Sequence, residues 1–369
     1  MQENSIIKFW DKTKAPPEER PVPRFIAHDE KCPLKSRDVM FTAGFHNPLA
    51  HLRNVLFRQL PAEAAEGDSF SLLGFDSEDI YYTTLWYAWK LLRLGFTSTV
   101  ILLDGNMVQS GGLEAAGRAL QDVQMPGWVG NAVNLTADGQ SPVLAFKENR
   151  YFIRDHPYEL VQGFQYFIWH RDHPVLRQLE EDCPWSGSTL YLRNIEDQTD
   201  SILLEKLAAP VQTIFCDEES YPFLNGMIPQ TDGMAVPLAG KKTVQNFKFD
   251  IQPLQGFPEN NISPESQPFA RYFQSDGQIR NFWNSQAFLD RNFSGIYPDF
   301  PVKNRGTIFI ELSEQEGGNP LATFENRDSI DYSFINGNWI IDGEKLTTVK
   351  PEIIQHEFEH VLRKLKRYL

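Results

Sequence analysis

Apolar and polar positions alternate most legibly between Ser69 and Asn106. Phe70-Ser71-Leu72-Leu73-Gly74-Phe75 is a nearly continuous apolar run of strand length, followed by the polar loop Asp76-Ser77-Glu78-Asp79. Leu85, Ala88, Trp89 and Leu92 recur at 3–4 spacing and predict a helix over 81–94, with Gly95 placed to end it. Thr99–Leu103 is a second buried strand running into Asp104-Gly105. Strand, helix and strand in this span make a βαβ unit, so the pattern predicts a parallel sheet covered by helices. A second such unit is expected from the strand 189–192, the helix 201–207 and the strand 211–215.

Elsewhere the pattern is coarser. Residues 1–24 read as a proline-rich arm, and 24–28 as a short strand. A polar break over 134–142 marks a boundary, which divides the chain into an arm (1–24), a first domain (25–140) and a larger second domain (141–369). A hairpin is predicted over 143–153, with helical patterns over 158–169, 174–181 and 279–289. The rest of 241–305 has no period. Thr307–Leu312 alternates like a strand, Asn336-Gly337 signals a hairpin over 331–341, and Pro351 suits the first turn of a closing helix.

Composition narrows the function classes. In 369 residues, 35 Lys and Arg stand against 49 Asp and Glu, a formal charge of −14, which disfavours nucleic acid and anionic membranes as partners. No apolar stretch has the length of a membrane span, and the first residues lack the apolar core of a signal peptide. The three cysteines, Cys32, Cys183 and Cys216, form no CxxC pair, so neither a disulfide framework nor a cysteine-based zinc site is expected. The chain therefore reads as cytoplasmic, with a small-molecule or protein partner that the sequence does not name.

Leu72-Leu73-Gly74-Phe75-Asp76, the Trp-rich helix Leu85–Leu94 with Gly95-Phe96, and Val100–Asn106 together resemble the rhodanese (sulfurtransferase) family. The closest likeness is to the non-catalytic first domain of two-domain thiosulfate sulfurtransferases. That resemblance implies an α/β fold: a rhodanese-like parallel sheet with helices on both faces, then a second α/β or α+β domain ending in β-hairpins and a helix. It also implies a degenerate active loop, Asp76, Ser77, Glu78, Asp79, Tyr81 and Tyr82, with Asp76 where an active member carries its cysteine. Gly44-Phe45-His46-Asn47-Pro48 echoes the family's upstream loop element. The first domain would then be a binding or scaffold module, and any sulfur transfer would fall to Cys216 at the end of the strand 211–215. The three carboxylates at Asp217, Glu218 and Glu219 work against a thiolate there.

Two further motifs offer other chemistry. His356-Glu357-Phe358-Glu359-His360 fits H-E-x-x-H, in which two histidines one turn apart ligate zinc and the glutamate acts as base. Yet Ile354, Phe358, Val361, Leu362 and Leu365 form the apolar stripe of that helix, and both histidines fall on its opposite side. Three functions thus stand side by side: a sulfurtransferase-lineage protein needing no cofactor, a zinc-dependent hydrolase built on His356, Glu357 and His360, and a non-enzymatic interaction protein. His170-Arg171-Asp172 matches the H-x-D of iron oxygenases but reads as a solvated surface. The glycine loop 105–112 could cradle a small anion.

Overall fold

A computed structural model describes residues 6–10, 17–23, 26, 29–34, 38–57, 59, 75–136, 141–170, 306–312, 329–343 and 345–367, and the strand backbones 189–193, 213–216 and 234–237. The chain opens with three short strands, β1 (Ile6–Phe9), β2 (Glu18–Pro21) and β3 (Val39–Ala43). A parallel series follows: β4 (Phe45–His51), β5 (Phe96–Leu103), β6 (Gly127–Asn134), β7 (Val161–Gly163) with β8 (Gln165–Ile168), β9 (Thr189–Arg193), β10 (Thr213–Cys216) and β11 (Met234–Pro237). The described helices among and after these strands are α1 (Leu52–Phe57), α2 (Ser77–Arg93), α3 (Gly112–Asp122), α4 (Ser141–Asp155) and α5 (Pro351–Lys366). The strands β12 (Thr307–Glu311), β13 (Tyr332–Ile335), β14 (Asn338–Asp342) and β15 (Lys345–Leu346) precede α5.

Two sheets result. The first joins the two ends of the chain in the order β15-β14-β13-β12-β3-β1-β2, and its core gathers Ile7, Val22, Val39, Phe309 and Trp339. The second runs β4-β5-β6-β8-β9-β10-β11, strictly in chain order, with β7 beside β6. Right-handed crossovers taken always in one direction lay every helix on the same face. The opposite face must then be covered by the sheet curling on itself, which is the arrangement of β/α barrels.

This order corrects the expected rhodanese-like sheet. Helices on both faces require the strand order to reverse, and no reversal occurs among the described strands. On the side of β5 away from β6, its parallel neighbour is β4, the stretch compared above with a rhodanese loop element. Its polar His46 and Asn47 and its Pro48, across which the register shifts, hide the strand pattern. The predicted strand 70–75 lies outside the described residues except for Phe75. Strands on either side of the 134–142 break share one sheet, since β6 pairs with β8, and β1 of the expected arm pairs with β3.

Other elements match the pattern to differing degrees. α2 and β5 form where predicted, and α2 starts four residues earlier because Asp76 caps it. The predicted hairpin over 143–153 is the helix α4. Its inward stripe of Ala145, Phe146, Asn149 and Phe152 has helical spacing, but the buried amide of Asn149 interrupts the apolar signal. The predicted helix over 158–169 is instead the broken strand β7–β8, rich in aromatic residues that favour pleated structure. The terminal hairpin turns at Asn336-Gly337, both with positive φ, and α5 begins at Pro351, as expected.

The two sheets meet at Gly44, the single residue between β3 and β4. Its N–H donates to the Gly306 carbonyl at 2.8 Å, and a Cβ at either glycine would run into the side chain of Thr97. Only a residue without a side chain allows this approach.

Candidate functional site

Side chains that follow the carboxyl ends of parallel strands collect on one face of such a sheet, the face where barrel enzymes hold their chemistry. β4 ends in His51 and β5 runs into Asp104, and β4 and β5 pair in parallel with His51 opposite Leu102. His51 Nδ1 and Asp104 Oδ2 stand 3.2 Å apart, with side chains 17% and 24% exposed. The ring of Tyr166, on β8, sits edge-on to the imidazole at 6.0 Å between centroids. Arg53, in the first turn after His51, lies against Gly105, where a Cβ would approach its guanidinium to 3.2 Å. With Nδ1–H donating to Asp104, the lone pair of the imidazole resides on Nε2, a tautomer assigned here from the hydrogen bond. Asp104 Oδ1 is buried with no hydrogen-bond partner among the described residues.

Beside this pair, Asn149 of α4 closes the break between β7 and β8. Its Oδ1 accepts the Asn131 N–H at 2.6 Å, its Nδ2 donates to the Asn131 carbonyl at 2.9 Å, and Nδ2 also reaches Gln165 Oε1 at 3.2 Å. One side chain thus satisfies backbone groups that strand pairing leaves open. The glycine loop ends at Gly111, whose N–H donates to the Glu148 carboxylate, so the α3 terminus already holds an anion of the protein itself. Burial raises the Glu148 carboxyl above its ordinary value, the nearby Glu114 charge adds to this, and the Gly111 bond works against it.

The expected degenerate loop is a helix cap. Asp76 Oδ1 accepts the N–H groups of Glu78 and Asp79, and Asp79 Oδ2 accepts the Asp76 N–H, which makes a reciprocal capping box for α2. Lys364 of α5 bridges both carboxylates, its Nζ 2.6 Å from Asp79 Oδ2 and 3.0 Å from Asp76 Oδ2. Burial raises Asp76, yet the Lys364 ammonium and the capping N–H donors outweigh it and hold that carboxyl below its usual range. Asp79 is buried more deeply and lies above its ordinary value despite the same lysine. Ser77 and Glu78 are exposed in the first turn. The Tyr81 hydroxyl donates to Asp122 of α3 at 2.7 Å under the Arg118 guanidinium, and burial with that carboxylate pushes its ionisation far up. The Tyr82 ring meets the Tyr81 ring edge-on at 5.0 Å. These residues cap α2 and join it to α3 and α5.

The other predicted site residues are separated. Cys216 is the last residue of β10, and only its backbone is described. His170 follows β8 and is exposed, whereas Cys183 lies outside the described residues. On α5, Ile354, Phe358, Val361 and Leu365 are buried, and the Phe358 ring stacks on Trp86 of α2 at 4.2 Å. His356 and His360 are exposed on the other side, and Glu357 is half-buried beside Tyr82. His51 was not among the predicted site residues. Its signal was a histidine closing an apolar strand directly before a helix, in a segment whose proline argues against a strand.

A metal held at these strand ends would draw on His51 and Asp104. The His51–Asp104 pair matches one ligand with the carboxylate that orients it. Among the described residues, no group of three His, Cys, Asp or Glu gathers as a metal site. The described strand ends β9, β10 and β11 finish in Arg193, Cys216 and Pro237, of which only cysteine is a ligating type. An open depression of about 780 Å³, lined in part by Asp29, Lys31, Phe334, Trp339 and Asp342, lies on the first sheet and not at these strand ends.

No protein-family model and no curated protein matches the chain. Solved structures do. A triazine hydrolase from Arthrobacter aurescens superposes with a TM-score of 0.59 at 13% identity, over 88% of either chain. An adenosine deaminase from Xanthomonas campestris with bound zinc gives 0.56 at 12% identity over 99% of either chain. An amidohydrolase from a Sargasso Sea sample gives 0.51 at 9% identity, over 89% of this chain and 86% of that one. These likenesses overturn the rhodanese resemblance and the sulfurtransferase reading drawn from it, including sulfur transfer through Cys216. What the chain shares with these proteins is the fold, a TIM-barrel-like parallel sheet.

Proposed function

We propose that this protein is a metal-assisted hydrolase of the amidohydrolase kind, acting at the face where β4 and β5 deliver His51 and Asp104. The observation that carries the reading is the 3.2 Å contact between His51 Nδ1 and Asp104 Oδ2 at the carboxyl ends of adjacent parallel strands. In this reading His51 holds the metal through Nε2, and Asp104 fixes its ring and tautomer. Such an ion supplies Lewis-acid activation of water and of the bond to be broken. Arg53, lying against Gly105 next to Asp104, adds a positive charge to this face, and the Tyr166 ring forms an apolar wall beside the imidazole. The substrate class follows the named neighbours: a small, electron-poor ring or amide carbon from which water displaces an amine or a halide. Among the described residues no helix is long and apolar enough to cross a membrane; the cytoplasmic setting is proposed from the three cysteines with no CxxC spacing and the acidic charge.

The test is zinc content and affinity of the full chain, together with ammonia or halide release from a panel of amino- and halo-substituted heteroaromatics and amides. His51→Ala is expected to abolish the metal at this site and any turnover. Asp104→Ala is expected to weaken metal binding by roughly 10–100-fold. A wild type with no metal sensitive to His51→Ala, and no turnover on the panel, would overturn the proposal.

A further inference from the structure

The α5 histidines belong to no part of the site above, and their setting is informative. His356 and His360 are one helical turn apart on the exposed face of α5, and that face is held rigid because the opposite face is buried against α2. Side chains four apart on a helix start about 5–6 Å from each other, a span that lets two imidazoles close on one ion at about 2.0–2.1 Å. The neighbouring groups that could compete are engaged. Glu359 accepts from Gln355 Nε2 at 2.9 Å, its carbonyl receives Arg363 Nε at 3.3 Å, and Lys364 is committed to Asp76 and Asp79. Neither histidine makes a hydrogen bond, ion pair or ring contact among the described residues.

We propose that His356 and His360 form a second, surface metal site: a two-histidine clamp for a borderline divalent ion such as copper(II), nickel(II) or zinc(II), with water in the remaining positions. Imidazole pairs suit these ions over calcium or magnesium, and the order of affinity runs copper above nickel and zinc. Ile354, Phe358, Val361 and Leu365 anchor the helix, so the clamp exists before the ion arrives and binding orders little. With two protein ligands the site stays open and labile, unlike a closed structural zinc site. It does not depend on the hydrolase reading, because it shares no residue with His51 and Asp104.

The experiment is calorimetric titration of the full chain with nickel(II), in wild type and in His51→Ala. One binding event that survives His51→Ala is expected. Losing either ligand removes the chelate gain, so His356→Ala and His360→Ala should each weaken this event by about 100-fold. Glu352 is exposed one turn before His356, so Glu352→His in the His360→Ala background re-creates the same spacing and should restore binding. Both single variants change exposed side chains, so circular dichroism is expected to match the wild type. Nickel binding that persists when His356→Ala and His360→Ala are combined in the His51→Ala background, or a Glu352→His rescue that fails while the wild type binds, would overturn the clamp. So would the absence of any event that survives His51→Ala.

Discussion

The junction of α2 and α5 rests on one lysine, and its removal gives a sharp test of how the fold is held. Lys364→Met keeps most of the aliphatic stem and deletes the ammonium that lies 2.6 Å from Asp79 Oδ2 and 3.0 Å from Asp76 Oδ2. The two contacts differ in worth. Asp76 has a side chain 58% exposed, so its arm behaves as a surface pair of about 0.5 kcal/mol. The Asp79 side chain is 7% exposed, and losing a charged partner there costs about 2 kcal/mol. The variant should therefore lose about 2–3 kcal/mol in urea unfolding at neutral pH, with little change in slope. The pH dependence follows from the two carboxyls. Asp76 is held below its ordinary value, so its contribution is present above the unfolded pKa and lost as pH falls through the folded one. Asp79 is already raised by burial, and without Lys364 it moves higher still and takes up a proton sooner on acidification. Both trends shrink the penalty as pH drops from 7 toward about 4. In an Asp79→Asn background the cost should fall to that of the surface arm. A neutral-pH cost under about 0.5 kcal/mol, or one that does not shrink on acidification, refutes the assignment.

Three other perturbations have defined signs. Phe358→Ala removes a ring that is 1% exposed and stacked on Trp86, and should cost about 3–4 kcal/mol in denaturant unfolding, with α5 the first segment to gain hydrogen exchange. Burial pulls Lys90 down to about 8, with Arg93 adding to it, while the Trp89 face 4.5 Å away favours the ammonium. Lys90→Met should thus stabilise by about 1 kcal/mol at pH 7. That gain fades as pH rises from about 8 toward the free value of 10.5, where the unfolded lysine also loses its proton, and a constant gain across that range would refute it. Gly117→Ala in α3 improves helix propensity, but its Cβ would sit 2.9 Å from the Tyr158 ring. It should destabilise by about 1–2 kcal/mol in the wild type and by less in a Tyr158→Ala background, where only the Phe152 ring at 3.0 Å still crowds the new Cβ, with thermal midpoints reading the difference.

The sequence was readable where one physical signal dominated. The α2–β5 unit, the Asn336-Gly337 hairpin and the helix after Pro351 each combine apolar period with a cap or turn residue, and each forms where expected. The buried stripe of α5 was also visible, and with it the exposure of His356 and His360. Errors arose where a buried polar group or a helix breaker stood inside an element. Asn149 broke the stripe of α4 because its amide was needed to satisfy Asn131, and Pro48 with His46 and Asn47 disguised β4. The second error had the larger consequence. With β4 disguised, the pattern points to the loop at 76–82 and gives no sign of His51 at the end of that strand. An apolar period reports which residues pack, but the order in which parallel strands line up depends on pairings between residues 21 to 52 apart in the chain. Two singly and doubly wound sheets can share every local βαβ signal. What distinguishes them is whether successive crossovers continue in one direction, and here that order, not any motif, puts His51 and Asp104 on one face.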